Sequence, residues 1–120
     1  MATKDFRGLA VWKRSHQFAL AVYRATASFP KEEMYGLTSQ LRRAGNSVPM
    51  NIAEGCGRDS AAELTRFMII AMGSSSELDY QLILAHDLGY LDETTYECLY
   101  NELTEIRRML NAFIQTLKRG

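Results

Sequence analysis

Apolar side chains in the last third of the chain recur at intervals of three and four: Tyr96, Leu99, Leu103, Ile106, Leu110, Phe113 and Leu117. That spacing places one apolar seam along a helix of 3.6 residues per turn and predicts a packed bundle helix. Asp92, after the break Gly89-Tyr90-Leu91, is suited to cap its start. Val11, Ser15, Phe18, Val22, Ala25 and Phe29 repeat the pattern in a first helix that Pro30 closes. A second helix runs from about Glu33 to Gly55, with Leu37, Leu41, Ala44, Val48 and Ile52 inward. A third opens on the capping-box sequence Ser60-Ala61-Ala62-Glu63 and continues through Leu64, Phe67, Ala71, Leu78 and Leu82 to about Gly89.

The links between these segments are short, near Pro30–Glu32, Gly57–Ser60 and Gly89–Asp92. Short links make sequential helices antiparallel neighbours, so the expected fold is all-α: one domain over residues 1–120, an up-down-up-down four-helix bundle with a left-handed supercoil. No segment has the period of a strand, and there is no internal repeat.

Two places break helical rules. Pro49, inside the second helix, removes a backbone donor and predicts a kink. Gly73-Ser74-Ser75-Ser76 sets poor helix formers in the middle of the third helix, where small side chains allow a neighbouring backbone to come close. Beside the apolar seam of the second helix, Gln40, Arg43, Ser47, Asn51 and Glu54 form a polar stripe. Antiparallel pairing across the following turn makes Arg43–Glu77 and Glu54–Arg66 available as complementary pairs. Half-buried charges persist only when paired, so the stripe is expected to fix the register of the two helices rather than form a site.

Composition narrows the function. Of 120 residues, 47% are hydrophobic and 23% charged, the balance of a globular chain. Cys56 and Cys98 lack the spacing of a metal or redox motif, which suits two thiols in a reducing compartment. The N-terminal residues carry no apolar signal core and the run Phe67–Met72 is too short to span a bilayer, so the expected location is the cytoplasm. His16 and His86 lack the Glu three residues earlier that a ferritin-like metal bundle requires. Nucleophile-elbow, paired-cysteine and phosphate-loop motifs are missing too. The expectation is a protein without catalytic residues, cofactor or metal.

Net charge is zero, with 14 basic and 14 acidic side chains, but their distribution along the predicted bundle is uneven. Lys4, Arg7, Lys13, Arg14, Arg58, Arg66, Arg107, Arg108, Lys118 and Arg119 fall at one end against four acids. The other end carries ten acids and only Arg24, Lys31, Arg42 and Arg43. Part of this matches the helix dipoles. The rest makes Lys13, Arg14, Arg58, Arg107, Arg108, Lys118 and Arg119 candidates for contact with a phosphate backbone. Met68, Ile69 and Ile70 widen the apolar arc of the third helix, while Trp12, Ala19, Tyr23 and Tyr100 add further semi-apolar surface. Such a surplus marks contact with another copy of the chain.

The stretch Gly36-Leu-Thr-Ser-Gln-Leu-Arg-Arg-Ala-Gly-Asn-Ser-Val-Pro-Met-Asn-Ile-Ala-Glu-Gly55 resembles the signature of the four-helix bundle proteins named for intervening sequences in bacterial 23S ribosomal RNA. The resemblance continues through Phe29-Pro30, Glu63, Arg66-Phe67, Gly73-Ser74, Glu77-Leu78 and Leu88-Gly-Tyr-Leu91, with Val48 where the family often has Ile. It implies a ring-like homopentamer with loosely defined nucleic-acid binding, a structural role for the stripe residues and no catalytic residues. Two functions follow as expectations. One is a non-enzymatic homo-oligomer that binds RNA or DNA weakly through its basic end; the other is a scaffold for an unidentified protein partner.

Overall fold

A computed structural model describes residues 5–120. Four helices make up nearly all of it: α1 (Ala10–Thr26), α2 (Leu37–Cys56), α3 (Ala61–Asp87) and α4 (Glu93–Arg119), with single 3-10 turns at Phe6–Gly8 and Lys31–Glu33. There is no strand among the described residues. α1 packs on α2 and α4, and α3 packs on the same two, so α1 and α3 sit diagonally across a bundle measuring 46 × 23 × 20 Å.

The core is largely the predicted set of seams, with Ala25 and Tyr96 only half-buried at its margin. Leu41, Val48, Ile52, Leu64, Leu78, Leu82, Leu103, Ile106 and Leu110 are all almost fully buried. Met68, expected on the surplus face of α3, is instead a core residue at 0% exposure, and Ala19 is buried with it. Toward the end of α4 the buried residue is Ile114, while Phe113 and Leu117 are only half-buried. A straight helix drifts against a seam spaced at 3.5 residues, and over this length the drift turns Ile114 inward. No helix among the described residues is long and apolar enough to cross a membrane.

Helix ends follow local chemistry. Ser60 caps α3 by accepting the Glu63 N–H at 3.1 Å, and Asp92 caps α4 by accepting the Thr95 N–H at 2.7 Å. α3 stops at Gly89, whose φ of +81° is open to glycine at no steric cost. There the Tyr90 N–H reaches the Ala85 carbonyl and the Gly89 N–H reaches His86, the paired bonds of a Schellman stop. α1 ends at Thr26, before the expected Phe29, although Phe29 remains buried against the Tyr90 ring. α2 starts at Leu37 rather than Glu33, because Glu33 turns back and its Oε1 accepts the Leu37 N–H at 3.1 Å.

α2 packs tightly on α3 at Gly55, where an added Cβ would stand 2.9 Å from Phe67 Cβ and 3.1 Å from Leu64 Cδ1. Gly73 does not serve the close contact expected of it, since it faces solvent with nothing within 4 Å of an added Cβ. Its neighbours Ser74 and Ser75 are buried instead. Pro49 lies inside α2 with its ring buried.

Candidate nucleic-acid interface

The arginines predicted to make one end basic are largely compensated by carboxylates that the sequence placed elsewhere. Arg14 of α1 binds Glu102 of α4 through two hydrogen bonds, Nε to Oε2 at 2.9 Å and Nη2 to Oε1 at 2.8 Å. Its Nη1 lies 3.7 Å from Glu105, which also accepts from Arg108 Nε at 2.9 Å. The hydrogen bond from Arg108 holds the Glu105 carboxyl below its ordinary value, and the bond to Glu102 raises the Arg14 guanidinium. Arg107 reaches across to α3, donating to Asp79 at 3.1 Å and to the Ser76 hydroxyl at 3.0 Å. Glu102 and Glu105 are among the ten acids expected at the other end, yet α1 and α4 lie side by side and bring them to Arg14. The sharp division of charge is therefore blunted. Lys13, Lys118 and Arg119 are exposed and have no ion-pair partner among the described residues. Lys4 lies outside the described residues.

At the α2–α3 turn the expected cross-helix pair Glu54–Arg66 gives way to two shorter-range ones. Glu54 pairs with Arg58 one turn on, at 2.8 Å, and Arg66 pairs with Glu63 at 3.1 Å. Both guanidinium groups then rest over the Phe67 ring, at 4.9 and 4.5 Å from its centroid. Partners three or four residues away on the same stretch of chain are held ready by helix geometry, which a cross-helix pair is not.

Farther along α2 the polar stripe is partly joined. Ser47 Oγ and Ser74 Oγ lie 2.8 Å apart across α2 and α3, and Asn51 Nδ2 donates to Ser47 Oγ at 3.0 Å. Above this bond Gln40, Arg43, Glu77 and Gln81 line an open cleft of about 450 Å³. The expected Arg43–Glu77 bond is not formed there, and Gln81 Oε1 is buried without a hydrogen-bond partner.

One cationic feature was missed in the sequence. Arg42 leans back from α2 onto α1: its Nε donates to Thr26 Oγ1 at 2.9 Å, its Nη2 donates to the Tyr23 carbonyl at 3.4 Å, and its carbon lies 4.9 Å above the Tyr23 ring. Neither Arg42 nor Arg43 has a carboxylate partner among the described residues. Tyr23 and Tyr35 stand 45% and 96% exposed beside them. In sequence Arg42 and Arg43 belonged to an end dominated by acids, and only the packing of α1 on α2 sets them beside these rings.

The apolar surplus is present on α3. Ile69, Tyr80 and Ile83 share the solvent face of the helix, with Ile70 and Leu88 at its margin, each between 39% and 63% exposed. Among the described residues no group of three His, Cys, Asp or Glu could hold a metal ion. Cys56 is buried and Cys98 exposed.

Comparison with known proteins shows both a family and a fold. The family described as 23S rRNA-intervening sequence protein matches residues 7–112. The crystal structure of a protein of unknown function from the S23 ribosomal protein family of Bacteroides thetaiotaomicron superposes with a TM-score of 0.79 at 27% identity, covering 88% of this chain and 98% of that one. No curated protein matches the chain.

Proposed function

From a chain that belongs to the 23S rRNA-intervening sequence protein family, we propose a non-enzymatic homo-oligomer that holds RNA or DNA weakly and without sequence preference. The observation that carries the reading is the exposed apolar face of α3, Ile69, Tyr80 and Ile83, which a second copy would cover. Five copies in a ring, as the resemblance implies, would set several cationic ends side by side, and avidity would multiply a contact that is feeble in one copy. The up-down-up-down order and left-handed supercoil belong to this reading. Ser47 beside Ser74, and Gly55 beside Leu64 and Phe67, support antiparallel α2 and α3. The protein would act in the cytoplasm.

Lys13, Lys118 and Arg119 are the side chains proposed to meet phosphate at the end of the bundle, with Arg14, Arg58, Arg107 and Arg108 adding field rather than unpaired donors. The test is solution molar mass followed by binding to generic RNA over a range of salt. The expected results are a mass several times that of one chain and affinity that falls steeply with salt. A Lys13→Ala/Lys118→Ala/Arg119→Ala variant should flatten that dependence. A monomer, or tight binding indifferent to salt, overturns the reading.

A second reading, a scaffold for a protein partner, is favoured by the same compensated arginines, because a largely neutralised end suits a protein surface as well as a phosphate backbone. A partner recovered from nuclease-treated lysate, with no RNA binding by the pure protein, would favour it.

A further inference from the structure

Three clefts on the surface of the bundle share Arg43: the α2–α3 cleft described above, a groove of about 350 Å³ that includes Tyr23, Arg42 and Asn46, and one of about 420 Å³ that includes Tyr23, Tyr35 and Arg42. In the last, the exposed rings of Tyr23 and Tyr35 share the lining with Arg42 and Arg43, which lack a carboxylate partner among the described residues; the second groove also carries Glu54, whose carboxylate is paired with Arg58. Arg14, Arg58, Arg66, Arg107 and Arg108, by contrast, are each matched to an acid. The guanidinium groups of Arg42 and Arg43 are thus available to an incoming anion, as are the unpaired Lys13, Lys118 and Arg119, whereas the paired arginines of the end must first be freed.

We propose that the α1–α2 face binds single-stranded RNA, with Tyr23 and Tyr35 stacking on bases and Arg42 and Arg43 meeting the phosphates between them. It rests on the nucleic-acid reading above and moves its main contact from the end of the bundle to this side. Bases offer a π-face to a tyrosine only when unpaired, so the arrangement selects single strands over duplex. Arg42 is held by Thr26 and by the Tyr23 carbonyl and so fixes the ring it covers, leaving a residue 45% exposed to take a base. Tyr35, in the connector before α2, is 96% exposed and shares a groove with Tyr23. Asn46 donates to Met50 Sδ at 3.2 Å and keeps its carboxamide oxygen for another donor. A ribose 2′-hydroxyl offers such a donor where deoxyribose does not, which favours RNA over DNA in this groove.

The test uses the full chain, with fluorescence anisotropy on a mixed-sequence RNA of about twelve nucleotides, its duplex form and the matching DNA single strand. Tyr23→Ala and Tyr35→Ala should each weaken the RNA strand by roughly five- to a hundredfold and leave duplex binding unchanged. Arg43→Gln should lower the slope of log affinity against log salt by roughly 0.7. Tyr23→Phe, which keeps the ring, should bind like the parent. Circular dichroism and solution molar mass are measured on each variant. If the tyrosine variants bind the strand unchanged while the Lys13/Lys118/Arg119 variant loses it, this inference fails and the proposed function stands. Absence of binding to any nucleic acid ends both. Equal affinity for the DNA strand overturns the assignment to RNA. A fall in molar mass on replacing Tyr23 or Tyr35 makes this face a contact between copies and overturns the proposal.

Discussion

Arg14 and Glu102, 88 residues apart in sequence, are joined by two parallel hydrogen bonds of 2.9 and 2.8 Å that tie α1 to α4. The bidentate geometry matches the planar fork of a guanidinium to a carboxylate, which lysine cannot reproduce. Arg14→Lys should therefore lose most of what Arg14→Ala loses. The pair is still partly open to water, with side chains 42% and 34% exposed, so the change in thermal midpoint is small and shrinks as salt is added. A double-mutant cycle with Glu102→Gln measures the coupling; additive effects of the two changes would mean that the pair contributes nothing.

Acid should destabilise the fold below the ordinary carboxylate range. Hydrogen bonds from Arg108 to Glu105 and from Arg66 to Glu63 lower these carboxyls from 4.5, and the Thr95 N–H lowers Asp92 from 3.8. A carboxyl depressed in the folded state binds protons more readily when the chain unfolds. Its stabilisation is complete above the unfolded value and disappears as pH falls through the folded one. Denaturant midpoints measured from pH 7 downward should hold level and then fall below about pH 4.5. Glu105→Gln should make that fall shallower.

Two glycines make opposite predictions for the same substitution. Gly55→Ala drives a methyl to 2.9 Å from Phe67 Cβ, and crowding of this kind costs about 1–3 kcal/mol. Gly73→Ala meets nothing within 4 Å on an exposed helical turn and should gain about 0.5–1 kcal/mol from the lower entropy of the unfolded chain. Urea denaturation of the two variants checks both signs.

Adjacent residues on α3 should likewise separate stability from assembly. Met68 is 0% exposed, so Met68→Ala should cost about 2–5 kcal/mol by transfer and cavity terms. Ile69 is 49% exposed, and Ile69→Ala should leave the stability of one chain within about 0.5 kcal/mol. If copies meet across this face, Ile69→Ala or Tyr80→Ala lowers the solution molar mass while Met68→Ala lowers the melting temperature first. Sedimentation and thermal melts read the two effects separately.

The sequence by itself determined the elements and most of the core. Spacings of three and four fixed which sides of the helices are apolar, and Ser60, Asp92 and Gly89 fixed where α3 and α4 begin and where α3 stops, because caps act through bonds within a few residues. The same period also marked Ile69 and Ile70 as surplus, and it assigned Met68 wrongly because the width of a buried arc depends on how many neighbours close over it. Tertiary structure alone decided which charges meet. Arg14 could not be paired with Glu102, nor Arg42 set over Tyr23, before α1 had been placed against α4 and α2. Side-chain pairing depends on distances of a few ångströms between helices, and a slide or rotation of one helix by less than a turn exchanges every partner. Periodicity carries no information at that scale, so the basic end read from the sequence lost most of its unpaired arginines on folding. The cations left without a carboxylate at Arg42 and Arg43 became visible only in the packed bundle.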